Sequence, residues 1–85
     1  MLIRSQNRNV LVNADKFSVS KEHEVFRIYS VNSFLGEYST EEKALKVMDM
    51  IEDTILKCEA MRTGYAEYDF CAFVFDMPAD KDVEV

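Results

Sequence analysis

The 85 residues include one histidine and two cysteines, the residue types that most often bind zinc and that also act as general bases or nucleophiles. His23 lies in the charged stretch KEHE, with no Ser, Cys or Asp in register for it to activate as a general base. Cys58 and Cys71 are far apart and have apolar neighbours, which is typical of small buried side chains rather than redox centres. Because tetrahedral zinc needs several His or Cys ligands together, we expect no metal site and no catalytic residue.

Carboxylates and glycines are arranged unfavourably for two other kinds of ligand. The acidic residues after position 75 lack the turn glycine and the ligand spacing of a calcium loop. The only glycines, Gly36 and Gly64, are too few for a glycine-rich loop around a phosphate. We therefore expect no cofactor and no enzymatic activity, so that the protein acts by binding.

The net charge of −6 indicates what such binding could involve. Its sign argues against direct contact with nucleic acid or with an anionic membrane, since both require clustered Lys and Arg. An acidic chain can instead bind a basic protein surface, including one that normally holds nucleic acid. The candidate residues for this acidic face are Glu41, Asp49, Glu52, Asp53 and Glu59. A solvated face without a partner is the alternative interpretation.

A second candidate site is basic. Arg4, Arg8 and Arg27 all come from the N-terminal region in which strands are predicted, with Arg8 in a turn between two of them. If those strands are neighbours, the three side chains form a basic patch that, together with Gln6, could hold a phosphate-bearing small ligand such as a nucleotide. Arginines scattered over the surface are the alternative.

The elements that position these residues follow from hydrophobic periodicity. Short β-rich segments separated by turn residues predict antiparallel strands at 2–6, 10–13, 17–20, 25–31 and 34–38, with a bulge or close packing at Gly36. A last strand at 70–75 is apolar on both sides, which indicates a strand covered on both faces. Either the sheet curls round on itself or a second copy of the chain covers it, so we expect self-association.

A long amphipathic helix is predicted between these strands, from Ser39 to Gly64. The sequence STEE suggests a capping box with Ser39 as the N-cap and Glu42 reaching back to it. The core-facing stripe is predicted to be Ala44, Val47, Met48, Ile51, Ile55 and Cys58. Apolar residues off this stripe are Leu45, Met50, Leu56 and Met61, more than one small sheet needs.

Together these elements predict an α+β fold of order β-β-β-β-β-α-β. An antiparallel sheet of five to six short strands carries the helix on one face. We expect one domain at 1–78 and a short, mobile acidic tail at 79–85. The N-terminal segment turns polar at Arg4 instead of continuing into a secretory apolar region, and no apolar run approaches the length of a membrane span. A cytoplasmic location with reduced cysteines is therefore expected.

Three segments together resemble a known group of proteins: the opening MLIRSQ, LGEYSTEEKALKVMDMI at 35–51 and VFDMP at 74–78. They are similar to short, mostly uncharacterised proteins from phages, prophages and mobile elements of low-GC Gram-positive bacteria. The likeness covers roughly a third of the chain and departs at 7–33. It implies an accessory role in a mobile element and transfers no active site.

Charge, burial pattern and resemblance therefore predict a non-enzymatic accessory protein that binds a host protein. In its sharper form, the hypothesis is a counter-defence inhibitor of a host nucleic-acid-binding effector such as CRISPR machinery. One alternative is an oligomer that sequesters a small nucleotide signal through Arg4, Gln6, Arg8 and Arg27 at a subunit junction. Another is a structural or regulatory homodimer without a ligand.

Overall fold

A computed structural model describes the backbone of residues 2–64 and 74–85, and the side chains of residues 2–57 and 74–85. Its elements are β1 (Leu2–Arg4), β2 (Leu11–Asn13), β3 (Ser18–Glu22), β4 (Val25–Ser30), β5 (Ser33–Tyr38), α1 (Glu41–Gly64), β6 (Val74–Asp76) and a 3-10 turn (Asp80–Asp82). The predicted α+β class and the order of the elements are confirmed.

The strands form two three-stranded sheets, β2-β1-β6 and β3-β4-β5. Within each sheet, strands joined by short links pair antiparallel, as expected: β1 with β2, β3 with β4 and β4 with β5. In contrast, β6 pairs parallel with β1. A parallel neighbour is possible here because the chain travels back along α1 between β5 and β6. The sheets meet where the Gln6 N–H donates to the Leu35 carbonyl at 2.7 Å.

The two-residue turn between β4 and β5 lies one position earlier in the chain than the sequence indicated. Val31 was expected to end a strand, but β4 stops at Ser30, which pairs with Ser33. Val31 instead lies in the two-residue turn with a φ of 49° and is 78% exposed. The expectation for Gly36 is confirmed, since a Cβ there would lie 3.2 Å from the Tyr38 ring.

The start of α1 differs from the predicted capping box. The Thr40 hydroxyl accepts the Lys43 N–H at 3.2 Å, so Thr40 caps the helix and α1 begins at Glu41. Ser39 as the N-cap is wrong, because both its N–H and its hydroxyl donate to the Asp80 carboxylate. The side chains of Cys58 and Met61 lie outside the described residues.

The core lies between α1 and strands from both sheets. The predicted stripe is confirmed in its central part: Ala44, Val47 and Ile51 are buried, while Met48 and Ile55 pack at the margin. These side chains meet core residues contributed by the strands and by the C-terminal segment. Those residues are Ile3, Ile28, Leu35, Tyr38, Met77 and Val83.

Residues 79–85 do not form the mobile tail that their acidic composition suggested. Val83 is only 5% exposed and belongs to the core. Upstream, the Pro78 carbonyl accepts hydrogen bonds from the Tyr38 hydroxyl at 2.8 Å and from the Gln6 amide at 3.2 Å. The mobile-tail prediction is wrong because one apolar residue among charged ones is enough to dock the segment. Of the strand expected at 70–75, residues 70–73 lie outside the described residues.

Candidate functional site

One flank of α1 combines exposed leucines with carboxylates. Leu45, Asp49, Glu52 and Leu56 follow the spacing i, i+4, i+7 and i+11, which places them along one side of a helix. Leu45 is 50% exposed and Leu56 is 58% exposed. Eleven residues of helix extend about 16 Å at a rise of about 1.5 Å per residue. We call these four residues the α1 flank.

A pocket of about 290 Å³ lies beside the α1 flank, between the helix and Phe17. Phe17 precedes β3 and packs against the core from the opposite side of the pocket. The pocket is lined by Phe17, Met48, Asp49, Ile51, Glu52, Ile55 and Leu56. Its walls are thus mainly apolar, and its two charged lining residues are the carboxylates of the α1 flank.

Those two carboxylates are not neutralised by other described side chains. Among the residues whose side chains are described, the ion pairs do not include Glu41, Asp49 or Glu52, all of which are exposed. Asp53 differs, because its carboxylate lies 3.0 Å from the Lys57 ammonium. The side chain of Glu59 lies outside the described residues. Of the predicted acidic face, Asp49 and Glu52 therefore carry unpaired charge next to an apolar pocket.

Two of the candidate basic residues, Arg27 and Arg4, have carboxylate neighbours of their own. The Arg27 guanidinium lies 3.0 Å from Glu37 and 3.2 Å from Glu22. Arg4 lies 3.7 Å from Asp76, and its Nη1 donates to the Arg8 carbonyl at 3.4 Å. A phosphate at either arginine would have to compete with these carboxylates and would be repelled by them.

Gln6 was assigned to the same basic site, but its side-chain amide already forms hydrogen bonds with main-chain groups. Its side-chain oxygen accepts the Glu37 N–H at 3.0 Å, and its Nε2 donates to the carbonyls of Glu37 at 3.1 Å and Pro78 at 3.2 Å. The amide thus joins β5 to the segment after β6. The structure brings Arg4 next to Arg8 and places Gln6 and Arg27 on either side of Glu37.

Asp80 positions the start of the helix that carries the flank. Its carboxylate accepts the Ser39 N–H at 2.8 Å and lies 3.4 Å from the Lys43 ammonium. The Ser39 N–H, together with the Ser39 hydroxyl and the Lys43 charge, lowers the pKa of Asp80. No local sequence pattern could identify this contact, since Ser39 and Asp80 are 41 positions apart.

The remaining candidate ligands are not brought together. His23 occupies the turn between β3 and β4 with a φ of 59° and is exposed. Within residues 2–64 and 74–85, His, Cys, Asp and Glu side chains do not gather in groups of three or more able to hold a metal ion. In the same part of the chain, α1 lacks the sustained hydropathy of a membrane-spanning helix.

Comparison with known proteins gives no relative from which a role could be transferred. The chain matches no protein-family model, no curated protein and no solved structure. The functional interpretation therefore depends on the geometry and charge of the α1 flank.

Proposed function

We propose that this protein is a non-enzymatic binding protein whose α1 flank occupies a basic surface of another protein. The observation that supports this function is the position of Asp49 and Glu52 at the rim of an apolar pocket, without an ion pair to any residue whose side chain is described. Apolar contact supplies most of the affinity of such interfaces, whereas complementary charge supplies specificity and fast association. The α1 flank offers both within about three helical turns.

The partner in this proposal is a host nucleic-acid-binding protein in the bacterial cytoplasm, such as a CRISPR effector. A groove that binds nucleic acid carries clustered Lys and Arg, which a row of carboxylates can engage in place of phosphates. The net charge of −6 adds long-range attraction to such a groove. The resemblance to phage and mobile-element proteins implies an accessory role in a mobile element, and a counter-defence function is compatible with that role.

The test is complex formation between the purified protein and purified nucleic-acid-binding defence effectors, followed by size-exclusion chromatography with light scattering. We expect a complex at about 50 mM salt that weakens towards about 200 mM, because exposed charge pairs are screened. The double variant Asp49→Asn/Glu52→Gln should lose the complex.

The matched control is Asp15→Asn/Glu24→Gln, which changes the net charge equally at exposed residues that lie outside α1 and do not line the pocket. It should retain the complex. Failure of every effector tested to bind at low salt would remove the proposed function. Equal loss in both double variants would show that total charge, not the α1 flank, is responsible.

A further inference from the structure

We infer that the occupant of the α1 flank is a basic amphipathic helix of the partner, with one apolar side chain in the pocket and Lys or Arg side chains against Asp49 and Glu52. This inference rests on the proposed function and specifies the chemistry of the partner. An amphipathic helix laid along a groove is a common mode of peptide recognition, with anchors repeating at helical spacing.

The dimensions of the flank match a helix rather than a single contact point. Leu45 and Leu56 lie about 16 Å apart along the axis. A partner helix packed at a shallow angle of about 20° would therefore span the flank in about three turns. It needs apolar residues at both ends to cover the exposed parts of Leu45 and Leu56, which are 50% and 58% accessible.

The pocket has room for one large apolar side chain of the partner helix, between the ends that cover Leu45 and Leu56. Its volume of about 290 Å³ is at or below the lower limit of small-molecule sites, about 300–1,000 Å³. It is also partly open to solvent, whereas small-molecule sites enclose most of their ligand. A Leu, Met or Phe from the partner can enter between Phe17 and Ile55 while its backbone stays outside.

Charge decides between a basic partner and a second copy of this chain. Two copies joined through the flank would bring Asp49 and Glu52 of one copy towards the same carboxylates of the other. Like charges at close range oppose association, and each chain already carries a net charge of −6. Lys or Arg residues three or four positions apart on a partner helix instead face both carboxylates at once.

Two synthetic peptides of about 18 residues, long enough for about 27 Å of helix, provide the probes. One carries Leu on one face and Lys on the other, and the second has Glu in place of every Lys. We expect the full chain to bind the fluorescein-labelled Leu/Lys peptide, measured by fluorescence anisotropy at low salt. We expect at least tenfold weaker binding of the Leu/Glu peptide, a difference of about 1.4 kcal/mol.

Paired variants show whether that binding uses the α1 flank. Leu56→Ala should weaken it about fivefold by removing an apolar contact, whereas Leu11→Ala, at a β2 leucine of similar exposure, should not. Asp49→Asn/Glu52→Gln should weaken it about fivefold or more, and the charge-matched Asp15→Asn/Glu24→Gln should not. Circular dichroism and melting curves establish that each variant is folded.

Several outcomes would overturn the inference. Equal affinity for both peptides would show that basic charge on the partner is irrelevant. Equal weakening within either pair of variants would place the contact elsewhere or make it non-specific. An effector complex that forms normally and is insensitive to Leu56→Ala would remove the helical occupant while leaving the proposed function intact. Peptide binding without any effector complex would remove the proposed function but leave a basic amphipathic helix as the kind of ligand that the α1 flank binds.

Discussion

The Gln6 amide should be one of the most sensitive polar groups in the protein. It makes three hydrogen bonds, two to the main chain of Glu37 and one to the Pro78 carbonyl. Gln6→Met keeps the aliphatic stem but removes all three. At about 1 kcal/mol net for each bond, the full loss would be about 3 kcal/mol. Because the side chain is only half-buried, water can satisfy some of the main-chain groups that lose their partner. We therefore expect the free energy of unfolding to fall by about 2 kcal/mol.

Urea unfolding followed by circular dichroism measures this change, which corresponds to a fall of about 10 °C in Tm for a domain of this size. Gln6→Glu is the informative contrast. It retains an acceptor for the Glu37 N–H but directs carboxylate oxygen at two carbonyls, so its loss at neutral pH should be at least as large. A loss below about 0.5 kcal/mol in Gln6→Met, typical of ordinary surface substitutions, would refute the structural role of the amide.

Three further substitutions test other parts of the structure. Val83→Ala should lower the free energy of unfolding by about 2 kcal/mol in urea titrations, whereas exposed Val85→Ala should change it by less than about 0.5 kcal/mol; equal effects would contradict docking of the C-terminal segment. Asp80→Asn should destabilise at neutral pH. Since the folded pKa of Asp80 is lowered, its contribution is present above about pH 4 and disappears as the pH falls through that pKa, so the two proteins should converge in acid melting curves. Val31→Asn should raise the free energy of unfolding by about 1 kcal/mol, because a β-branched residue is strained at a φ of 49°; an unchanged value would contradict strain there.

Local periodicity was sufficient to predict most of the framework. The helical spacing of Ala44, Val47 and Ile51 indicates a buried stripe directly, because each residue is about one turn from the next on the same face. The strands before the helix were predicted to within one or two residues of their ends. Val31 was misassigned because its β-branched side chain favours a strand, whereas the turn begins at this residue.

Long-range contacts could not be read from the same patterns. Asp80 takes Ser39 away from the helix cap across 41 positions, and Val83 reaches the core from an acidic segment. The parallel pairing of β6 with β1 likewise depends on where α1 returns the chain. Each of these features is decided by tertiary packing rather than by the residues on either side of it.

The candidate site was only half visible in the sequence. The acidic residues of α1 and the surplus leucines were both evident, but as separate features. Their combination depends on Phe17, which forms the far wall of the pocket and lies outside the helix. The basic alternative was weakened for the same reason, since Glu22 and Glu37 reach Arg27 from neighbouring strands.

An amide chemical-shift map of the ¹⁵N-labelled full chain, recorded during titration with the Leu/Lys peptide, tests the central claim most directly. We expect the largest shifts along α1 from Leu45 to Leu56 and at Phe17, across the pocket. The outer face of β3-β4-β5 around Arg27 should remain unchanged. Shifts concentrated around Arg27, or spread evenly over all acidic residues, would contradict the assignment of the α1 flank as the binding surface.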